Sequence, residues 1–449
     1  MKQNRILQRF LCATVLVLAC VWLAACQTGK TEPEAGGSSQ PGPESSEAAS
    51  GAEAEPEKPV EVTLLLDYVY DSPSGISKKE KEELFGGIPG YGETFTVDVQ
   101  HLPFMDNAEG RKGQIERIRM EMMQDKGPDI VITRNYATPP GVELGFSDLF
   151  PIPQSAMKQR LFLPLDDYIA NAQYMEWDKL LPQVMEAGKD GEGRQVILPL
   201  VYSFSVSLFD RESAMAQQTL PMTRSQMLES EDPGMQRIAS DGWRVFADAL
   251  YGFVDYEKEE LGFTEQEALD LAKQLKTARE QSALAECPGL VESASSSDLL
   301  FGLGLLGAKD SPDYVWVPSY HRDGGVTAYI PVYAAINRST QHPDQCFAIL
   351  DWLLSKESQR TAGWTSLGFP VHMDLELHGQ SVNGWFLNDW NFEQFASARD
   401  QIDQTAYLGP LYTEMLELND KVLQAESDAE LEKLVHEAYT RMQMILAES

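Results

Sequence analysis

The chain has 449 residues, and its 69 Asp and Glu outnumber its 36 Lys and Arg, which gives a formal net charge of −33. Because phosphate neutralisation needs clustered basic side chains, this balance excludes nonspecific nucleic-acid binding as the main activity. Hydrophobic residues make up 43% of the chain, enough for one large or two medium-sized domains, and the only long apolar run is N-terminal, which excludes a membrane protein of several spans.

Residues 1–25 have the pattern of an export signal. Three basic residues precede an uncharged apolar run over residues 11–25, which is short for a membrane-spanning helix. The run ends in Leu23-Ala24-Ala25-Cys26, a string that resembles the bacterial lipobox. This resemblance implies that the signal is removed and that Cys26 becomes a lipidated N-terminus, so that lipid alone anchors the protein to the membrane. A plain signal peptide with an incidental cysteine is the alternative.

The segment that follows, residues 26–59, is predicted to be a disordered acidic tether. After Cys26 it is rich in Gly, Ser, Ala and Pro, carries seven Glu and two Lys, and has no aromatic or large aliphatic residue. It cannot bury enough apolar area to offset the entropy of ordering. Mixed Gly, Ser and Pro with like charges is typical of an extended, flexible linker.

Two further cysteines, Cys287 and Cys346, remain in the expected mature chain. An exported protein can form a disulfide between them. Cys346, however, lies on an apolar helical pattern, which favours a buried cysteine that packs as a small hydrophobic residue. No CxxC pair and no zinc-ligand spacing occurs, and the six histidines are scattered. No metal site is therefore predicted.

The folded part begins at residue 60 with alternating strands and helices. Strands are predicted at residues 60–66, 95–99 and 130–132, and a helix over 111–125 joins the last two. A further apolar strand is predicted at 196–200. This order predicts an α/β domain with a largely parallel sheet.

The second half of the chain is richer in helical patterns. Thr264 and Glu267 form a predicted capping box at the start of one of its helices. The predicted helices span 243–254, 265–281, 343–354, 410–424 and 428–447, and the predicted strands span 315–318 and 326–336.

Catalytic motifs are absent from the sequence. No HExxH string occurs, because His436-Glu437 lacks a second histidine at the required spacing. No GxSxG string occurs either. Gly302–Gly307 matches G-x-G-x-x-G, but it follows a helix-like stretch and opens no helix, so no dinucleotide site is expected. No cofactor is predicted. A pair of glycosidase carboxylates stays open, since their pairing is spatial.

Several stretches resemble, in family order, landmarks of the bacterial extracellular solute-binding proteins of ABC importers, and of the sugar-binding family most of all. They are Gly127–Val131, Leu163–Ile169, Val196–Leu200, Gly242–Phe246, Ala334–Pro343 with Phe347–Ser355, and Gly368–Val371. The resemblance implies a type II periplasmic-binding-protein fold, with two α/β lobes joined by crossing strands around a ligand cleft. Lobe 1 would comprise 60–203 with 333–375, and lobe 2 would comprise 204–332 with 376–449.

The same resemblance implies a function. The protein would be a monomer on the extracellular face of the cell membrane that captures a carbohydrate, of oligosaccharide size, by hinge closure and delivers it to ABC transporter permease subunits. It would not be an enzyme. Two alternatives stay open: a secreted lipoprotein enzyme that acts on glycans, and a binding lipoprotein that serves a sensor kinase.

Candidate ligand contacts lie near the ends of predicted strands, where open α/β sheets bind ligands. Aromatic rings cover the C–H faces of a sugar, and polar side chains satisfy its hydroxyls. For any single tyrosine, half-buried packing is the competing interpretation. The candidates are Tyr68, Tyr70, Arg134, Asn135, Tyr136, Tyr202, Ser203, Tyr329, Tyr333 and Tyr412.

Overall fold

A computed structural model describes residues 58–67, 78–103, 107–135, 147–212, 222–240, 244–282, 290–296, 305–306, 310–361, 368–375 and 387–448. All but residue 58 belong to one compact unit that extends from Pro59 to Ser449. Several predictions fall on residues outside these ranges and stay predictions: the lipidated Cys26, the tether up to residue 57, Cys287, and the candidates Tyr68, Tyr70 and Tyr136.

The larger of two sheets has seven strands, in the order β2-β1-β3-β8-β4-β9 with β10 paired to β8. Leucines in the second half of β1 are fully buried, because this part of the strand is covered on both faces. The strands are β1 Val60–Asp67, β2 Phe95–His101, β3 Ile130–Arg134, β4 Leu198–Ser203, β8 Val326–Ile336, β9 Phe369–Pro370 and β10 Ile402–Tyr407.

The pairing within this sheet is mixed, so the prediction of a largely parallel sheet was wrong. The pairs β1·β2, β1·β3 and β8·β10 are parallel, whereas β3·β8, β4·β8 and β4·β9 are antiparallel. The reason is that β8 enters the sheet from the direction opposite to β3 and β4. Local alternation of strands and helices does not report this late return of the chain.

The smaller sheet has the order β6-β5-β7 and is antiparallel throughout. Its strands are β5 Ser205–Asp210, β6 Leu290–Ser295 and β7 Tyr314–Pro318. Side chains of a neighbouring helix cap the outer edge of β7: the Tyr314 amide donates to Asn391 Oδ1 at 3.0 Å, and Trp390 Nε1 donates to the Tyr314 carbonyl at 2.7 Å. Trp390 thus packs on this sheet. Its ring also lies 3.8 Å from the Arg211 guanidinium.

Helices surround both sheets, and most of those predicted are confirmed. The reciprocal Thr264–Glu267 capping box is present, with the Thr264 amide donating to Glu267 Oε2 at 2.6 Å and the Glu267 amide donating to Thr264 Oγ1 at 3.2 Å. The helices are α1 Lys78–Phe85, α2 Ala108–Met123, α3 Pro153–Lys158, α4 Asp166–Ile169, α5 Pro182–Glu186, α6 Arg224–Leu228, α7 Pro233–Ser240, α8 Val245–Leu250, α9 Glu265–Ser282, α10 Pro343–Leu353, α11 Lys356–Thr361, α12 Asp389–Arg399, α13 Pro410–Gln424 and α14 Asp428–Ala447, with short 3-10 turns at Trp177–Lys179 and Tyr251–Phe253.

The two halves of strand β8 pair with different strands. Its first half, Val326–Ile330, pairs with β10, and its second half, Val332–Ile336, pairs with β3. Strand β4 likewise runs almost directly into β5 of the smaller sheet, with only Phe204 between them. The predicted lobe boundaries at 203/204 and 332/333 fall beside these two crossings. The division of the chain at those residues remains a prediction.

Cys346 is fully buried on α10 and carries a free thiol, as its apolar helical setting predicts. Burial raises the pKa of this thiol to about 12. Within the part of the chain that the structure describes, no helix is long and apolar enough to cross a membrane.

Candidate functional site

The carboxyl ends of β1 and β3 meet at one edge of the larger sheet, because the two strands are parallel. Asp67, the last residue of β1, is 5% exposed and accepts two hydrogen bonds from the Arg111 guanidinium, at 2.8 and 3.0 Å. It also accepts one from Thr133 Oγ1 at 3.1 Å. A buried charge needs such partners, and the bidentate geometry leaves Asp67 no free lone pair on the side of Arg111. Arg111 itself is 3% exposed.

Five buried tyrosines form what we call the tyrosine column: Tyr251, Tyr329, Tyr333, Tyr407 and Tyr412. Three of them, Tyr329, Tyr333 and Tyr412, are among the candidates. The rings of Tyr329 and Tyr251 each meet Tyr412 edge to face, at centroid distances of 5.1 and 5.3 Å, and Tyr333 meets Tyr407 in the same way at 5.2 Å. All five rings are buried. Tyr329 and Tyr333 lie on β8, Tyr407 lies on β10, and Tyr412 lies in the first turn of α13. The three candidates Tyr329, Tyr333 and Tyr412 are therefore in one region.

The hydroxyls of the column have different partners. Tyr251 donates to the Tyr407 carbonyl at 2.6 Å, and Tyr329 donates to Asp248 Oδ1 at 2.8 Å. Tyr333 is fully buried, and its hydroxyl has no hydrogen-bond partner among the described residues. Burial raises the pKa of Tyr333 well above its usual value. The Tyr333 hydroxyl is thus the member of the column with unused hydrogen-bonding capacity.

Asp248, on α8, connects both crossings. Its Oδ1 accepts from Ser205 Oγ at 2.9 Å, just after the first crossing, and from Tyr329 on β8. Arg224 Nη2 lies 3.7 Å from Oδ2. Burial raises the pKa of the Asp248 carboxyl, although Arg224 opposes the shift, and burial lowers the pKa of Arg224. This carboxyl is enclosed and engaged, which is the environment of a structural group.

Asn135 follows β3 and is 2% exposed. Its side-chain amide donates to the carbonyls of Phe150 at 3.0 Å and Leu408 at 2.8 Å, so both of its hydrogens are engaged within the protein. Its Oδ1 is buried and has no partner among the described residues. Asn135 can therefore offer a ligand only that acceptor. Arg134, one residue earlier, is half-buried.

The two candidates at the first crossing are also buried. Tyr202 is 2% exposed and lies in an aromatic cluster with Phe204 and Phe369, at centroid distances of 6.5 and 6.0 Å. Phe395 of α12 completes the cluster, 4.3 Å from Phe369. Ser203 Oγ lies 3.5 Å from Ser296 Oγ. Ligand contact by either residue stays a prediction, and in this structure Tyr202 packs as a core residue.

Sequence reasoning missed the charged and polar residues that organise this region. The spacing of Arg111, Ile115, Ile118 and Met122 is that of one helix face, and all four side chains are buried. The position of Arg111 on the apolar face of a predicted helix therefore indicates a buried ion pair from the sequence alone. Asp248 had no comparable sign, since its partners come from β5, α6 and β8. Across the described ranges, no group of three potential ligands could hold a metal ion.

No family model matches the sequence, and no curated protein matches it. Solved structures do resemble the fold, at low sequence identity. An extracellular solute-binding protein family 1 member from Alicyclobacillus acidocaldarius is 13% identical with a TM-score of 0.56, and the match covers 86% of this chain and 99% of that one. A periplasmic oligogalacturonide-binding protein from Yersinia enterocolitica is 12% identical with a TM-score of 0.56, covering 87% and 99%.

A third similar structure is the galacto-N-biose-/lacto-N-biose I-binding protein of the ABC transporter from Bifidobacterium longum in complex with lacto-N-biose. It is 11% identical with a TM-score of 0.51, and the match covers 85% of this chain and 96% of that one. The chain therefore has the two-lobe α/β fold of sugar-type extracellular solute-binding proteins. The resemblance predicted from the sequence is confirmed at the level of the fold.

Proposed function

We propose that this protein is a lipid-anchored extracellular solute-binding protein that captures a carbohydrate between its lobes and delivers it to an ABC transporter. The observation that carries the proposal is the extent of the structural match: the chain spans 96–99% of three solute-binding proteins, two of them named for the saccharides they bind. Binding by closure then requires only that the ligand contact the closed form better than the open one.

The tyrosine column concentrates aromatic rings beside the crossings, but all five rings are buried, so a sugar would contact them only in a conformation that exposes them. Aromatic rings suit the C–H faces of sugars, and the unpartnered Tyr333 hydroxyl could then donate a hydrogen bond to a sugar hydroxyl. We keep the ten sequence candidates as the proposed contact set, and three of them, Tyr329, Tyr333 and Tyr412, belong to the tyrosine column.

The proposal of a glycan-acting enzyme is less well supported. A glycosidase needs two carboxyl groups that are free to act as acid and as nucleophile or base. The buried carboxyls in the region described above, Asp67 and Asp248, are each engaged by an arginine and by hydroxyl donors. Delivery to a permease instead of a sensor kinase is proposed by analogy with the transporter component named above.

A thermal-shift screen tests the binding proposal directly. Lacto-N-biose, maltotriose and trigalacturonate form a suitable first panel, with mannitol as a small polyol control. A sugar at 100 times its dissociation constant should stabilise the protein by about 2.7 kcal/mol. Incubation with each sugar and analysis of products forms the second arm. Hydrolysis of any panel sugar by the pure protein would favour the enzyme.

Lipid anchoring has its own test. Labelled palmitate fed to expressing cells should enter the wild-type chain and should not enter Cys26→Ser. Equal labelling of the two proteins would overturn the proposed anchor without touching the proposal of sugar binding.

A further inference from the structure

The segment Ser147–Pro151, which precedes α3, belongs to no helix or strand, yet each of its five consecutive carbonyls accepts a hydrogen bond from a side chain. The donors are Arg111, Arg119 and Asn135. Their bonds are Arg111 Nε to Ser147 O at 3.0 Å, Arg119 Nη2 to Asp148 O at 2.6 Å, Arg119 Nε to Leu149 O at 2.5 Å, and Asn135 Nδ2 to Phe150 O at 3.0 Å and Pro151 O at 3.4 Å. We call these three side chains with Ser147–Pro151 the carbonyl clamp.

The chemistry of the clamp is specific to its donors. Guanidinium groups carry several N–H donors in a rigid fork, so Arg119 satisfies two successive carbonyls that a single ammonium could not reach in the same geometry. All the neighbours of the Asn135 amide in the clamp are carbonyl oxygens, which fixes its orientation with the nitrogen toward them. Backbone carbonyls without regular secondary structure need such partners when they are buried.

The same donors also reach other strand ends. Arg111 binds Asp67 at the end of β1, and its Nη1 donates to the carbonyl of Pro103, just after β2, at 3.3 Å. Asn135 donates to Leu408, which precedes α13, and its backbone amide donates to the Pro331 carbonyl in the middle of β8 at 3.0 Å. The clamp thus joins the carboxyl ends of β1, β2 and β3 to the crossing strand and to the start of the helix that carries Tyr412.

We infer that Arg111, Arg119 and Asn135 are positioning residues for ligand binding, an inference that rests on the proposed function. They hold Ser147–Pro151 and Leu408 in one fixed frame at the carboxyl ends of β1 and β3, which is where open α/β sheets bind ligands. Arg111 and Arg119 act through that frame, because their guanidinium groups bond to carbonyls and a carboxylate of the protein itself. Asn135 also acts through the frame with its amide hydrogens, and only its Oδ1 is left for the ligand contact proposed above. Replacing them should loosen the frame locally and weaken sugar binding while the rest of the protein stays folded.

Native-state proteolysis with thermolysin measures the frame without any ligand. Thermolysin cleaves before Leu149 or Phe150, and both side chains are buried, so cleavage there requires local opening. In the full chain, we expect Arg119→Lys and Arg111→Lys each to raise this cleavage rate at least about tenfold. The matched control is Arg117→Lys on the exposed face of α2, where the side chain is 61% exposed, and it should cleave like the wild type.

Mass spectrometry of the fragments locates the cuts. Faster cutting at this segment in Arg119→Lys, with little change in melting temperature, supports local positioning. An unchanged rate at Leu149 and Phe150 in both Arg variants would overturn the clamp.

Asn135→Asp adds a readout that a generally weakened core would not give. An ionised carboxylate has no donor and faces three carbonyl oxygens, whereas the protonated form can donate one O–H. The melting temperature of the variant should therefore fall further below that of the wild type at pH 8 than at pH 5. Arg119, Asp148 and Arg134 are present in both proteins, so the difference isolates residue 135. A deficit that is equal at both pH values would contradict the assigned hydrogen bonds.

The panel sugars separate this inference from the proposed function. If the wild type binds none of lacto-N-biose, maltotriose and trigalacturonate, the proposal of sugar binding loses its support, while the proteolysis still decides whether the clamp exists. If the wild type binds one of them, Arg119→Lys should bind that sugar at least about tenfold more weakly and Arg117→Lys should not differ. Wild-type affinity in an Arg119→Lys protein whose segment has opened would overturn the positioning role.

Discussion

Two buried Asp–Arg pairs, Asp67–Arg111 and Asp248–Arg224, are built differently. Asp67 receives both arms of the Arg111 guanidinium, at 2.8 and 3.0 Å. Asp248 is satisfied mainly by hydroxyls, with Arg224 at 3.7 Å. The same residue types thus serve as a bidentate ion pair at the strand ends of the larger sheet and as a hydroxyl-bound carboxyl beside the smaller one. The difference shows that burial of an acid does not by itself reveal which partner stabilises it.

The largest expected effect separates the two pairs. Arg111→Leu leaves Asp67 buried without its cation and also removes donors to Ser147 and Pro103, so we expect a loss of about 3–5 kcal/mol in the free energy of unfolding. Urea denaturation of the full chain measures it. The double variant with Asp67→Asn should recover part of this loss. A loss below about 1 kcal/mol, typical of an exposed pair, would mean that the strand-end pair is not buried in solution.

The matching change at the second pair should cost less. In Arg224→Leu, Asp248 keeps its two hydroxyl donors, and its raised pKa makes protonation easier. We expect a loss of about 1–3 kcal/mol, mostly from the carbonyls of Tyr320 and Ala239 that lose their donors. Parallel urea melts of the two Arg variants give the comparison. Equal losses would show that geometry does not distinguish the pairs.

Two tyrosines on β8 give a finer test, because one hydroxyl has a partner and the other has none. Tyr329→Phe removes a donor from buried Asp248 and should cost about 1–3 kcal/mol, whereas Tyr333→Phe should change stability by less than about 0.5 kcal/mol. Calorimetry of both variants checks this ranking. If Tyr333 contacts a sugar as proposed, Tyr333→Phe should still weaken binding. The reverse order of stability would place the unpartnered hydroxyl elsewhere.

The smallest expected effect is a pH dependence at Asp248. The pKa of the Asp248 carboxyl is raised in the folded protein, so the folded state holds this proton more tightly than the unfolded chain does. The stability that the bound proton contributes is lost as pH rises above the unfolded pKa of about 3.9. Asp248→Asn cannot ionise. The stability of the variant relative to the wild type should therefore increase between pH 4 and pH 7. A relative stability that falls over this range would show that the folded pKa is depressed, by Arg224 above all.

The sequence determined the local elements of this protein well. Helices α9, α13 and α14 begin and end within a residue or so of their predicted limits, because caps, proline positions and apolar periodicity act within a few residues. Strands β1, β3, β7 and β8 were predicted for the same reason. Strands β6 and β10 and the helices α7 and α12 were missed, since their patterns are short or mostly polar.

The ordered landmarks in the sequence also predicted the fold class, and their order along the chain is information that no single motif carries. Only the tertiary structure decided which groups the buried polar side chains contact. Asn135, a predicted ligand contact, donates both amide hydrogens to carbonyls that lie 15 and 273 residues away, which the sequence did not indicate. Arg111 binds Asp67 across 44 residues, and Tyr329 meets Asp248 across 81. Hydrogen bonds depend on distances of about 3 Å between groups that the chain brings together only when the sheets form, so no local pattern encodes them.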